Sequence, residues 1–272
     1  MFSKNVIYVA AALVLAAWGS TSAVEGIVIE GGLTHEQVVQ PGKTVTGIIV
    51  IKNESDVEKG INIYKTDYLF YADGTNKYGK PGTMPRSCAN WVRHTPSRTF
   101  IKPHSESEIF YTVKVPEVDT LAGTYWCIFM VEPIPDNLVD PEVREKSVGV
   151  RVKWRYGVQL VLQMGNTGTK EMQFTNTSLV KNNEKRILQV DIENTGEKWL
   201  KPLVWVELFR ADGTVQGKYS STVMRCYPET SIRHEFDLTG VPQGTYKALI
   251  VADCGDDDLF GINYTIKLGE EQ

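Results

Sequence analysis

Hydrophobic and polar positions alternate in short runs along most of the chain. Residues 44–52 (TVTGIIVIK), 61–70, 107–115 and 124–131 read as strands, as do 187–193, 203–209, 231–236, 245–251 and 263–268. A two-residue period puts every second side chain on one face, as a half-buried strand requires. Turn signals separate the runs: Asn53-Glu54-Ser55, Asp73-Gly74, Asn194-Thr195-Gly196 and Asp212-Gly213. No stretch of twelve residues carries a 3.6-residue period, so the pattern predicts an all-β chain built from sandwiches or barrels.

The pattern also repeats. Ala72-Asp73-Gly74-Thr75 recurs as Ala211-Asp212-Gly213-Thr214, each after a hydrophobic strand. Val115-Pro116 precedes Gly123-Thr124-Tyr125, and Val241-Pro242 precedes Gly244-Thr245-Tyr246. Asn53 and Asn194 each end an earlier strand. Three signals in one order predict two domains of similar topology. The expected division is a leader over 1–23, a first sandwich over 24–163, a polar, glycine-containing linker over 164–170 (MGNTGTK) and a second sandwich over 171–272. Tyr125 and Tyr246 are candidates for the tyrosine corner of immunoglobulin-like sandwiches, or else ordinary strand aromatics.

Residues 148–162 form the longest alternating run. Val148, Val150, Val152, Trp154, Tyr156, Val158, Leu160 and Leu162 share one face, with Arg151, Lys153, Arg155 and Gln159 on the other. At about 3.3 Å per residue the run spans roughly 50 Å, longer than a sandwich strand usually needs. Two readings stand. It is the last strand of the first sandwich with its polar face in water, or it is a basic, partly exposed strand that offers its backbone to a partner.

At the N-terminus, Lys4, the apolar run 6–18 and the small residues Thr21-Ser22-Ala23 have the layout of a secretory signal peptide. A secreted or periplasmic, soluble mature chain is expected, since no later segment is apolar enough for a membrane helix. That compartment suits disulfides, and with two cysteines in each half the expected pairs are Cys88–Cys127 and Cys226–Cys254. The balance of 29 Lys+Arg against 33 Asp+Glu gives a net charge of -4, which argues against nucleic acid as a partner.

These elements together resemble the periplasmic pilus chaperone family. The resemblance rests on Pro41-Gly42-Lys43 before the strand ending at Asn53, on Trp91 followed by Thr95-Pro96 and Ile101-Lys102-Pro103, on the strand ending in Val115-Pro116, and on the position of the 148–162 run. It implies two tandem immunoglobulin-like β-sandwich domains, the first of which lends a strand to an envelope or surface-fibre protein subunit. By that resemblance Val148, Val150, Arg151, Val152, Lys153, Trp154, Arg155 and Tyr156 form the partner-binding strand, and Val150, Val152, Trp154 and Tyr156 fill partner grooves. Family members anchor the partner's terminal carboxylate with an Arg in the first strand and a Lys on a later one. Here residues 26–30 (GIVIE) hold neither, and Lys153 or Arg155 is left as half of the anchor. Ser97-Arg98-Thr99-Phe100 stands where the family has a proline-rich segment.

Catalytic chemistry has no sequence support. There is no G-x-S-x-G or H-E-x-x-H motif and no phosphate-binding glycine loop. His35, His94, His104 and His234 lack metal-ligand spacing. The acidic run Asp253, Asp256, Asp257 and Asp258 is a candidate calcium turn or a solvated turn, and the solvated turn is the expectation. No cofactor and no metal are expected. The expected function is non-enzymatic binding of an envelope protein by β-strand addition. The alternatives are a carbohydrate- or cell-wall-binding module, with Trp91 and Trp199 exposed, or a structural component of an envelope complex.

Overall fold

A computed structural model describes residues 26–134, 154–182, 185–256 and 258–269. The expected leader and much of the 148–162 run lie outside these. The described residues form seventeen strands and one short 3-10 turn, Ala89–Trp91. The N-terminal sandwich contains β1 (Ile27–Ile29), β2 (Thr34–Val39), β3 (Thr44–Asn53), β4 (Lys59–Phe70), β5 (Asn76–Gly79), β6 (Val92–Thr95), β7 (Arg98–Ile101), β8 (Ser105–Lys114), β9 (Gly123–Pro133) and β10 (Tyr156–Met164). One sheet runs β1-β3-β8-β6. The other runs β2-β10-β9-β4-β5, with β7 beside the start of β4.

The C-terminal sandwich contains β11 (Met172–Asn182), β12 (Lys185–Asn194), β13 (Leu203–Phe209), β14 (Val215–Ser220), β15 (Ser231–Asp237), β16 (Gly244–Asp253) and β17 (Leu259–Leu268). Its sheets run β11-β12-β15 and β14-β13-β16-β17. No helix among the described residues is long and apolar enough to cross a membrane.

Each sandwich has its own core where alternate residues of facing sheets meet. Ile49, Ile51, Ile109 and Val113 meet Ile63, Phe129, Leu160 and Leu162 in the first; Leu188, Val190 and Ile192 meet Val206, Ala248 and Ile250 in the second. The sequence repeat is a repeat of hydrogen bonds. Asn53 and Asn194 are buried, and the side-chain amide of Asn53 donates to the carbonyls of Val57 and Ile101 while that of Asn194 donates to those of Lys198 and Cys226. Each Oδ1 accepts the amide two residues on, from Ser55 or Gly196. Each buried Asn thereby ties a loop to a distant backbone carbonyl. The Ala-Asp-Gly-Thr turns are likewise alike. Tyr71 and Arg210 donate to Thr75 and Thr214 at 2.9 Å each, and Gly74 and Gly213 sit at φ 85° and 84°, where a side chain is disfavoured.

The Gly-Thr-Tyr pair diverges. Tyr246 donates its hydroxyl to the Pro242 carbonyl at 3.0 Å, a tyrosine corner. Tyr125 instead packs on Trp91, ring centroids 4.8 Å apart, beneath the Arg86 guanidinium.

A third apolar cluster joins the sandwiches. Tyr227 lies 1% exposed between Trp126 and Trp199, stacked on both at 4.9 and 5.5 Å with rings 12° from parallel. Gly123, at φ 73°, lies so close to the Glu197 carbonyl that a Cβ would come within 2.2 Å of its oxygen. Thr124 donates its amide to that carbonyl at 2.8 Å and accepts the Trp199 amide on its hydroxyl at 2.9 Å.

All four cysteines are free thiols in the structure, so neither expected pair, Cys88–Cys127 or Cys226–Cys254, is bonded there. Cys226 donates to the Thr230 carbonyl and Cys254 to the Met172 sulfur, so these two face different neighbours. Cys88 and Cys127, by contrast, are both buried in the N-terminal core.

Candidate partner-binding edge

β10 owes its conformation to its alternation. Val158, Leu160, Leu162 and Met164 are buried in the N-terminal core. Its other face is not open to water along its length, because the inter-sandwich cluster covers Val161. Gln159 accepts the Tyr227 hydroxyl and Gln163 accepts that of Thr124, at 2.8 Å. The polar face predicted to be solvated is thus partly a seam with the second sandwich.

The two edges of β10 differ. Against β9 it is paired throughout, from Tyr156↔Val131 to Met164↔Gly123. On its other edge β2 lies parallel only from Gln159↔Thr34 to Met164↔Val39. Gln159 donates its amide to the Leu33 carbonyl on that side at 2.9 Å. Backbone groups alternate in direction along a strand, so the Gly157 amide points the same way. Gly157 and Val158 face no strand there among the described residues.

The chain reaches this arrangement because its first strand changes sheets. β1 pairs β3, and the chain turns through Gly31 and Gly32, both at positive φ, before β2 crosses to β10. His35 and Gln37 then hold β2 down by contacts to the Tyr111 hydroxyl at 3.2 and 3.1 Å. Burial lowers the His35 pKa.

The predicted partner-binding residues fall as follows. Val148, Val150, Arg151, Val152 and Lys153 lie outside the described residues. Trp154 is 55% exposed. Arg155 donates to the Tyr64 hydroxyl at 3.1 Å, with Glu132 4.0 Å away, and these neighbours raise its pKa. Tyr156 does not present its ring to a partner: it packs against the core and donates its hydroxyl to the Ile27 carbonyl at 2.7 Å. Trp154 and Arg155 line an open groove over β4, β5 and β9, with Tyr64, Thr66, Tyr78 and Met130. Exposed Tyr78 and half-buried Tyr64 were not singled out by the sequence, since neither lies in the alternating run.

The other candidates resolve into structural roles. Trp199 is 8% exposed and Trp91 packs against the N-terminal core, which corrects the exposed pair expected of a glycan-binding module. The charge of the acidic turn is partly offset by Lys170, which pairs with Asp258 and lies 3.8 Å from Asp256; Asp257 lies outside the described residues. No group of three or more His, Cys, Asp or Glu that could hold a metal occurs among the described residues. The histidines are dispersed, with His94 on the Ile63 carbonyl, His104 on Asp56 and buried His234 on the Ser221 hydroxyl. His234 Nε2 has no partner in the structure, so the Ser–His pair lacks the acid of a catalytic triad.

No protein-family model and no curated protein sequence matches the chain. Solved structures similar to it include the class 5 fimbriae chaperone CfaA, at 14% identity and a TM-score of 0.44 over 88% of this chain and 98% of that one. A chain from the chaperone–tip adhesin complex of CFA/I fimbriae biogenesis is similar at 12% identity and 0.45, over 88% and 97%. A third, from the CsuC–CsuE chaperone–tip subunit pre-assembly complex of the archaic Csu pili of Acinetobacter baumannii, is similar at 11% and 0.45, over 87% and 97%.

Proposed function

We propose that this chain is a non-enzymatic, chaperone-like protein of the bacterial periplasm that binds a surface-fibre or envelope subunit by β-strand addition. The observation that carries the reading is the half-paired edge of β10: β2 covers residues 159–164 and, among the described residues, leaves Gly157 and Val158 without a strand on that side. An extended partner strand continues the ladder where β2 stops, and main-chain hydrogen bonds supply affinity that tolerates sequence variation. Trp154 offers an apolar contact beside that edge. Residues 148–153 carry the same alternation in sequence, and Lys153 or Arg155 pairs with the partner's carboxylate.

The test is hydrogen exchange on the mature protein, free and after capture of a subunit from its own envelope extract. The Gly157 amide exchanges fast in the free protein and becomes protected in the complex, while the Gln159 amide is protected in both. Replacing Lys153 and Arg155 with Ala lowers capture and leaves the fold intact. A captured subunit that leaves Gly157 exchange unaltered rules out strand addition at this edge. Recovery of glycan alone rules out a protein partner.

A further inference from the structure

We propose that Cys88 and Cys127 are the two halves of one disulfide, closed while the chain folds in the presence of a thiol oxidant. Nothing in this depends on the β10 edge; it rests on how the chain brings these sulfurs together. Buried Asp67 accepts the amides of Gly82, Thr83 and Met84 and the hydroxyl of Ser87, which pins the segment leading to Cys88. That segment then runs parallel to β9. Trp126 donates to the Arg86 carbonyl at 3.0 Å, Cys88 donates to the Trp126 carbonyl at 3.2 Å, and Ser87 bridges Trp126.

One residue further on, that register brings Cys88 opposite Cys127, both 0% exposed in the same core. Adjacent strands lie about 4.8 Å apart. That falls inside the range of roughly 4.4–6.8 Å between Cα atoms that a disulfide spans. Cys226 and Cys254 instead donate to different groups, the Thr230 carbonyl and the Met172 sulfur.

The chemistry needs an oxidant such as a protein dithiol–disulfide oxidoreductase in its disulfide form, or oxidised glutathione in vitro. One cysteine thiolate attacks a sulfur of the oxidant disulfide, forming a mixed disulfide and releasing one oxidant thiolate. The second cysteine thiolate attacks the protein sulfur of that mixed disulfide, forming the Cys88–Cys127 bond and releasing the second oxidant thiol. Two electrons pass to the oxidant, and the two cysteine protons leave with its thiols or to solvent. Burial sets the timing: an oxidant cannot reach these sulfurs in the folded sandwich, and burial together with Cys127 holds the Cys88 thiol well above its ordinary pKa. Oxidation therefore accompanies folding.

The experiment is refolding of the full mature chain from denaturant with oxidised glutathione, followed by intact mass, alkylation in denaturant and peptide mapping. The expected product is about 2 Da lighter than the reduced protein, the loss of two hydrogens. It gives a linked peptide pair containing Cys88 and Cys127, and Cys226 and Cys254 still alkylate. The folded, reduced protein given the same oxidant keeps all four thiols. The oxidised form melts roughly 10 °C above the Cys88→Ala/Cys127→Ala variant. Four alkylatable thiols after oxidative refolding, or a linkage through Cys226 or Cys254, overturns the proposal. Where refolding yields are poor, peptide mapping of the protein purified directly from an oxidising compartment distinguishes the same two outcomes.

Discussion

The two sandwiches share their interior devices and differ at their edges. Both end an early strand in a buried Asn that ties down a loop, and both close a hairpin with Ala-Asp-Gly-Thr. Their last strands are unlike. β17 pairs β16 from Leu268↔Gly244 to Leu259↔Asp253 and pairs no other strand among the described residues. β10 is held between β9 and β2 for two thirds of its length and is half-paired at its start. The difference teaches that the repeat persists where a loop or tight turn must pair its own backbone, which admits few solutions. It lapses at the sheet edge, which faces whatever lies outside the protein.

The largest test of this comparison separates the halves. Tyr227→Ala removes the ring stacked between Trp126 and Trp199 and is expected to cost about 4 kcal/mol, as for other buried aromatics. Calorimetry is expected to show two transitions in the variant, one per sandwich; a single, unshifted transition would mean that the stack does not couple them.

Acid sharpens the contrast next. Burial lowers the His234 pKa from 6.5 to about 4, so the folded C-terminal sandwich holds this ring neutral. Its contribution is complete above pH 6.5 and is lost as the pH falls from 6.5 toward 4, a change of about 3 kcal/mol. The less buried His35 and His94 shift in the same direction in the N-terminal sandwich. Urea midpoints at pH 7 and pH 4 are expected to fall more for the C-terminal sandwich, and the excess is expected to vanish in His234→Gln.

The Asn locks come third. Asn53→Ala and Asn194→Ala each remove the loop hydrogen bonds of a buried amide and are expected to cost about 2–3 kcal/mol. In the Tyr227→Ala background each should lower only its own sandwich's transition, and a shift of both would show that the locks are not local. The smallest effects belong to Gly74→Ala and Gly213→Ala, about 1 kcal/mol each and equal within error, because both turns hold nearly the same positive φ. Unequal losses in denaturant melts would break the equivalence of the two hairpins.

By itself the sequence determined the class and the internal repeat. The nine runs placed by alternation are all strands, because a side chain buried on one face of a sheet recurs every second residue. The repeated Asn and Asp-Gly signals marked equivalent turns for a local reason: each makes its hydrogen bonds within the turn or to a neighbouring loop. Alternation did not expose β2 (THEQVV), β5 (NKYG) or β14 (VQGKYS), whose side chains are largely exposed or only half-buried.

Only the tertiary structure decided what the edge of β10 offers. The 148–162 run alternates evenly, yet Gln159 meets Tyr227 of the second sandwich, the adjoining Gln163 meets Thr124 of β9, Tyr156 meets the Ile27 carbonyl, and β2 stops at Gln159. Which groups remain unpaired depends on strands more than a hundred residues apart in the chain, and hydrophobic periodicity carries no information about their register. The same holds for the stack of Trp126, Tyr227 and Trp199 and for the meeting of Cys88 with Cys127. Burial can be read residue by residue, but a partner is set by the packing of whole sheets.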